Sequence, residues 1–369
     1  MRARRDPIPK ALERRVERAS NGIIGLERSV TVRDDDVMKM KVRAIVFREY
    51  GNPAEVAFYE EIEEEEIGKG EALVRLLAAP INPADLNVLE GKYGKLPKLP
   101  AVVGVEGVGR VEAISEDVEG IAVGDMVLLP LGYGTWREVG VVRAELLWVV
   151  PAGIGAEQAS MLMINPPTAL RMLRDFVDLK PGDWVIQNAA NSGVGRGVIG
   201  MARAAGLRTV NVVRRLELVD ELKALGADVV LVDGENLSAE ILAATSDAPA
   251  RLALNAVGGE SALRMAVALA TSGTVVTYGA MGRKPLRIPN GLLIFKDIRW
   301  RGFWISKWYG EASRAEIGEM LAEIFRLSLG GVIAVPVEGV YGLAEVKLAL
   351  ERAACGERSG KILFGGGKG

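Results

Sequence analysis

The stretch that most limits what this chain can fold into runs from Trp184 to Ala205. An apolar run, Trp184-Val185-Ile186, leads into Gln187-Asn188-Ala189-Ala190-Asn191-Ser192-Gly193-Val194-Gly195, and a helical pattern from Val198 to Ala205 follows. A strand, a turn of small residues and a helix make a mononucleotide-binding unit, because unpaired backbone N–H groups at the helix start can hold a pyrophosphate. The turn departs from the usual G-x-G-x-x-G pattern. Aligned on its last glycine, the first two glycines become Ala190 and Ser192, and only Gly195 remains.

A second strand is expected over Thr209-Val210-Asn211-Val212-Val213, a β-rich apolar run. Where the next strand ends, about 20 residues after the turn, an NAD site carries an acidic residue that bonds the ribose 2′-OH. Arg214-Arg215 stand there instead. A guanidinium suits a 2′-phosphate, so the expected cofactor is NADPH rather than NADH. The competing reading makes the two arginines solvated charges that open the next helix.

With 369 residues the chain has room for two domains of ordinary size. Its 49% apolar and 25% charged content suits a globular protein. A net charge of −2 gives no bulk attraction to nucleic acid or an anionic membrane. No apolar run approaches the ~18 residues needed to cross a bilayer, so neither nucleic acid nor membrane is an expected partner. Cys355 is the sole cysteine, which excludes an internal disulfide. The chain has no histidine, so a His general base, a Ser-His-Asp triad and an imidazole metal ligand are all excluded. A zinc site of Cys and His lacks ligands here, and no metal is expected. Acid–base work falls to Tyr, Lys, Asp, Glu or water.

Residues 1–37 stand apart, Arg-rich at Met1-Arg2-Ala3-Arg4-Arg5 and Arg14-Arg15, and closed by Asp34-Asp35-Asp36. They read as a dispensable or disordered tail, as an over-called start ahead of Met38 or Met40, or as a transit peptide. The last reading sits poorly with Asp6, Glu13 and Glu17. A cytoplasmic location is expected, or a mitochondrial matrix if residues 1–37 are a transit peptide. From Lys41 to Val150 short β segments alternate with Gly and Asp turns. From Ala156 helices alternate with strands expected near 184–188, 209–213, 228–232, 251–257 and 273–279, which implies a parallel sheet with right-handed crossovers. After Ser313 a helix from Ala315 to Leu329 leads back to short strands and a helix from Ala344 to Ala354. The expected fold is therefore α/β. A Rossmann doubly wound parallel sheet over 161–312 is inserted into a mostly β domain formed by 38–160 and 313–369.

Three further segments carry a family likeness: Ile81-Asn82-Pro83-Ala84-Asp85-Leu86-Asn87, Glu90-Gly91-Lys92-Tyr93-Gly94, and Leu99-Pro100-Ala101-Val102-Val103-Gly104-Val105-Glu106-Gly107-Val108-Gly109. With the variant turn, they make residues 41–365 resemble the medium-chain dehydrogenase/reductase superfamily, whose β domain is GroES-like. The chain looks most like the mitochondrial-type 2-enoyl thioester reductases, which reduce trans-2-enoyl-CoA or enoyl-acyl-carrier-protein with NADPH and form homodimers. Quinone reductases of the superfamily usually carry glycine where Ser192 sits. The resemblance implies NADPH-dependent reduction of enoyl thioesters in fatty acid synthesis. An NADPH:quinone or enone oxidoreductase and a catalytically silent NADPH-binding scaffold are the alternatives.

On the same resemblance Tyr93 matches the catalytic tyrosine. A tyrosine hydroxyl is a protonated donor at neutral pH and can stabilise the enolate that forms on the thioester oxygen; the alternative is a loop tyrosine that only packs. Trp304 matches a substrate-pocket residue and, with Phe303 and Ile305, a nicotinamide-lining segment. The alternative is an aromatic strand buried at a dimer interface, and the two are compatible along one strand. Asn165 matches a cofactor-binding asparagine, or caps a helix before Pro166. Asn191, Ser192, Gly193, Val194 and Gly195 form the pyrophosphate turn, and Arg214, Arg215 and Leu216 the 2′-phosphate segment. Tyr278, Gly279, Ala280 and Met281 fall at the carboxyl edge of the sheet, where α/β folds bind ligands. Lys361 matches a lysine that reaches the 2′-phosphate region. Arg283, Lys284, Arg287, Lys296, Arg299, Arg301 and Lys307 make a basic run suited to carrier phosphates or carboxylates, or to solvent. Cys355 reads as a small buried hydrophobe.

Overall fold

Six parallel strands form the sheet that the turn motif demands: β1 (Trp184–Asn188), β2 (Arg208–Val213), β3 (Val229–Val232), β4 (Leu252–Asn255), β5 (Thr274–Thr277) and β6 (Arg299–Gly302), in the spatial order β3-β2-β1-β4-β5-β6. The structure, a computed structural model, describes residues 39–246 and 248–366; the expected tail at residues 1–37 lies outside them. Every residue of β1 is buried, as a central strand covered on both faces requires. The first helix, α1 (Gly193–Ala204), and the second, α2 (Leu218–Leu225), supply the crossovers to β2 and β3. Five of the strands match the alternation seen in the sequence. The sixth, β6, is four residues long and pairs with β5 from Thr274↔Arg299 to Thr277↔Gly302; its charged residues hide it from a search for apolar runs.

The β part is built differently. Lys39–Phe47 pairs with Ala57–Glu65 and Ala101–Val102 in a three-stranded sheet. Glu71–Pro80 lies at the heart of a seven-stranded sheet and pairs antiparallel with Val108–Ile114, Val139–Arg143 and the returning strand Lys361–Gly365. Its burial alternates from Glu71 to Ala78, the signature of an antiparallel strand with one face in the core. Lys361–Gly365 brings the C-terminal segment into the same sheet as residues 71–149, so the β part is discontinuous in sequence.

Ser313 starts the helix Arg314–Leu329 with a capping box: its hydroxyl accepts from the Glu316 N–H at 3.3 Å, and the Glu316 carboxylate accepts from the Ser313 N–H at 2.8 Å. Met320, Leu321, Ile324 and Phe325 on this helix join a buried cluster with Val185 of β1 and Val198 of α1. The sequence reading grouped this helix with the β domain; its apolar face also packs with the Rossmann sheet. The chain just beyond it presses against α1 at Gly200, where an added Cβ would stand 2.0 Å from the Val332 carbonyl oxygen. No helix among the described residues is long and apolar enough to cross a membrane. The expectation for Cys355 is corrected: it follows the helix Val346–Ala354 and is exposed, because the buried stripe of that helix is Val346, Ala349, Leu350 and Ala353.

Candidate active site

The turn between β1 and α1 is held from below by side-chain amides. Gln187 donates to the Gly195 carbonyl (2.9 Å) and to Asn211 Oδ1 on β2 (2.7 Å). Asn188 donates to Asn255 Oδ1 on β4 (2.9 Å) and to Ser261 Oγ (3.1 Å), and its own Oδ1 accepts from the Ala256 N–H (2.7 Å). A neutral, buried ladder thus joins three strands at their carboxyl ends.

Above it, Ser192 is the N-cap of α1, accepting from the Gly195 N–H at 3.1 Å. Gly195 approaches the chain so closely that a Cβ would lie 2.5 Å from the Ala190 carbonyl oxygen, which explains why this glycine survives in the variant turn. Ala189 takes the left-handed conformation, φ 50°, a strained choice for a residue with a Cβ. The N–H groups of Gly193 and Val194 have no carbonyl four residues back within the helix. Asn165, the first residue of the helix Asn165–Arg174, is buried, and its Nδ2 has no protein partner. A Cβ on Gly193 would come within 3.0 Å of that Nδ2. A buried donor without a partner beside free backbone N–H groups fits an anionic phosphate or a carboxamide at this spot.

Tyr278 follows β5, its N–H bound to the Asn255 carbonyl at 3.0 Å and its hydroxyl buried near Ser192. Burial pushes this phenol well above its usual range. Gly279 packs on Ala256, while Ala280 and Met281 are exposed at the edge of the sheet. Arg214, directly after β2, is exposed and makes no ion pair among the described residues; Leu216 is exposed as well, and Arg215 pairs with Glu217 at 3.5 Å.

Tyr93 and Trp304 meet although 211 residues separate them. Trp304 Nε1 donates to the Tyr93 hydroxyl oxygen at 2.9 Å, and the rings pack edge to face with centroids 5.9 Å apart. Tyr93 is half-buried in the loop after the helix Pro83–Leu89; Trp304 is 40% exposed and caps the helix Ile305–Glu311. The neighbours of Trp304 turn away from this contact: Phe303 packs edge to face on Phe176, and Ile305 is buried. A second bond reaches the same Tyr93 segment from the loop after β5, with Arg283 donating to Glu90 at 2.9 Å. Of the basic run, Arg283 is therefore paired, as are Arg299 with Asp297 and Lys307 with Glu311.

A feature the sequence reading missed lies at the base of the β part. Lys361 donates to Asn82 Oδ1; Asn82 Nδ2 donates to Glu106 at 2.8 Å; the other Glu106 oxygen accepts from the Met163 N–H at 3.1 Å. Asp85 accepts from the N–H groups of Asn82 (2.7 Å) and Val105 (2.9 Å). All four side chains are buried. Burial raises the Asp85 and Glu106 carboxyls to about 7 each and lowers Lys361 to about 8, with the opposite charges pulling partly back. The structure places Lys361 Nζ on Asn82 Oδ1 in the β part, where the Glu106 and Asp85 carboxyls and the Asn82 carbonyl offset the cost of burying an ammonium. The available signal was Glu106 itself, a charge inside the apolar block Val102 to Val108. The network joins the helix leading to Tyr93 with Met163, two residues before Asn165.

The family profile described as alcohol dehydrogenase GroES-like domain matches residues 68–152, and that described as zinc-binding dehydrogenase matches residues 193–326. The chain has no histidine, and among the described residues no group of three or more Cys, Asp or Glu side chains is arranged to hold a metal ion. The human mitochondrial enoyl-[acyl-carrier-protein] reductase is 44% identical over 317 residues, covering 84% of this chain and 85% of that one. Among solved structures, the complex of Candida tropicalis Etr1p, a mitochondrial 2-enoyl thioester reductase, with NADP and crotonyl-CoA superposes with a TM-score of 0.80 at 26% identity, covering 88% of this chain and 100% of the other. A Bacillus thuringiensis protein named for NADPH:quinone reductase activity superposes with a TM-score of 0.83 at 27% identity, covering 88% and 99%. The human and Candida relatives carry the word mitochondrial in their names, which gives the cytoplasmic expectation no support.

Proposed function

The chain belongs to the enoyl-acyl-carrier-protein reductases of the medium-chain dehydrogenase/reductase superfamily, and from that premise we propose that it reduces the C2=C3 double bond of trans-2-enoyl thioesters with NADPH, as a step of fatty acid synthesis. The observation that carries the reading is the hydrogen bond from Trp304 to Tyr93. An indole N–H can only donate, so it occupies a lone pair of the phenol oxygen and leaves the Tyr93 O–H to donate outward.

Bound NADPH supplies a hydride to C3 of the substrate. Tyr93 then serves the other end of the double bond. Its O–H donates to the thioester oxygen, where charge grows, or to C2, and Trp304 fixes the direction in which it donates. A donor set in place before the charge develops lowers the barrier without reorganisation. Asn165 Nδ2 and the N–H groups of Gly193 and Val194 suit the cofactor's amide and phosphate oxygens, and the unpaired Arg214 suits the 2′-phosphate. Tyr278 to Met281 line the sheet edge beside them, and Lys361 acts from beneath through Asn82. A groove of about 340 Å³ lined by Leu131, Trp148, Met163, Tyr309 and Ile317, with the charged Glu145 and Arg314 also on its wall, has room for an acyl tail.

The substrate is an enoyl thioester of CoA or of an acyl carrier protein, and the partner is a second copy of the chain. The homodimer reading rests on β6, a sheet edge, and on Leu293, Ile294 and Phe295 exposed beside it. Oxidation of NADPH with trans-2-enoyl-CoA esters of several lengths, run beside small quinones, tests the reaction. Turnover of the thioesters is expected; turnover of quinones alone would replace this reading with the quinone reductase one.

A further inference from the structure

Arg196 is a buried cation that the reaction does not explain. It sits in the first turn of α1, only 8% exposed. That turn is the positive end of the helix dipole and disfavours a cation, and burial of the guanidinium adds a desolvation cost. Two partners hold it there: its Nε donates to the Asn191 carbonyl at 3.2 Å, and its Nη2 contacts Glu221 Oε1 in the first turn of α2. Asn191 belongs to the pyrophosphate turn. Glu221 belongs to the helix that begins four residues after Arg214.

We infer that the Arg196–Glu221 pair is a positioning tie that sets the 2′-phosphate arm, Arg214 to Glu217, in register with the pyrophosphate turn, and so contributes to the choice of NADPH over NADH. The inference rests on the reading of Arg214 as the 2′-phosphate partner. Residues 214–217 run between β2 and α2; turn bonds from the Leu218 N–H to the Arg215 carbonyl (3.4 Å) and from the Val219 N–H to the Leu216 carbonyl (3.1 Å) join them to α2, and Arg215 makes its ion pair within the segment, to Glu217. The place of the arm therefore follows the place of α2 against the turn. Two contacts set α2 against the turn: a small buried cluster of Ala190, Ile199, Val213 and Leu222, and the Arg196–Glu221 pair. Apolar packing is non-directional, whereas a guanidinium bound to both a carboxylate and a turn carbonyl defines distance and orientation. A tie of this kind matters most to the ligand that must touch both the turn and the arm at once. NADPH does so through its pyrophosphate and 2′-phosphate; NADH has only the first.

The test uses the full chain and fluorescence titration with NADPH and NADH, which needs no turnover. Glu221 is partly exposed, so Glu221→Gln keeps the fold, and thermal melting verifies this. The variant is expected to weaken NADPH about three- to tenfold and NADH less than twofold. Because the tie acts through the arm, Glu221→Gln in an Arg214→Ala background is expected to add less than twofold. Arg196→Lys, which keeps the charge beside Glu221 but not the planar fork, is expected to fall between wild type and Glu221→Gln. Unchanged NADPH binding in Glu221→Gln, beside lost NADPH preference in Arg214→Ala, overturns the tie and leaves the Arg214 assignment standing. Equal loss of both cofactors in Arg214→Ala overturns that assignment, and the tie with it.

Discussion

The cofactor turn and the Tyr93 segment are supported by opposite chemistries. Beneath the cofactor turn the side chains that link three parallel strands are neutral amides, Gln187, Asn188, Asn211 and Asn255, and the buried charge beside them, Arg196, is a guanidinium that keeps its proton. Beneath the Tyr93 side the buried groups titrate: Asp85, Glu106 and Lys361 surround Asn82. Both networks carry a short segment that must stay in place, the turn in one case and the Met163–Asn165 stretch in the other. An amide ladder keeps its hydrogen bonds at any pH. A buried set of two carboxyls and one ammonium keeps them only while its protons stay where they are. The cofactor side is thus a fixed frame, and the catalytic side is one whose support titrates.

Asn188→Ala breaks the neutral side and carries the largest expected effect. It removes two donated bonds and the acceptor for the Ala256 N–H, and each stranded buried group costs about 1–3 kcal/mol. A loss of roughly 3 kcal/mol or more is expected in urea unfolding, and it should be the same at pH 6 and pH 8. A loss that varies with pH would erase the distinction between the two sides.

Glu106→Gln sharpens the same contrast from the other direction. The Glu106 carboxyl titrates at 4.5 when free and about 7 when folded. Between those values the native state holds a proton the unfolded state has released, so stability falls as pH rises through that window. The slope from this one group is at most about 1.4 kcal/mol per pH unit, and it ends above pH 7. Asp85 acts in the same sense. Lys361, lowered from 10.5 to about 8, acts oppositely and restores stability as pH rises from 8 toward 10.5. The variant should lose part of the fall between pH 4.5 and 7. An identical pH profile in wild type and variant would mean that Glu106 does not hold its proton as argued.

Ser313→Ala, outside both networks, provides the smallest change. It loses the N-cap bond to Glu316, worth about 1 kcal/mol, with equal effect at pH 6 and pH 8 and no effect on cofactor affinity.

The same division governs what could be read from the sequence. The cofactor turn is a local motif, so Ala190, Ser192 and Gly195 could be aligned and their strand and helix anticipated from residues 184–205 alone. The Tyr93–Trp304 bond joins residues 211 apart, and no periodicity links them; both were reached through the family likeness, not through spacing. The burial of Lys361 on Asn82 beside Glu106, 255 positions away, was likewise out of reach of spacing. Strand β6 is four residues long, with arginine at two of its four positions, and is defined by its pairing with β5, not by its composition. Cys355 shows the reverse error: the sequence pattern marks a helix, but the residue falls just past its last turn.

The central claim is that the Tyr93 hydroxyl, oriented by Trp304, donates to the reacting thioester. Steady-state turnover of Tyr93→Phe with NADPH and trans-2-butenoyl-CoA tests it most directly. Loss of a donor used in the transition state lowers kcat by about 10²–10³ while NADPH affinity stays unchanged, and that is the expected result. Turnover within about threefold of wild type, the signature of a ring that only packs, would contradict it.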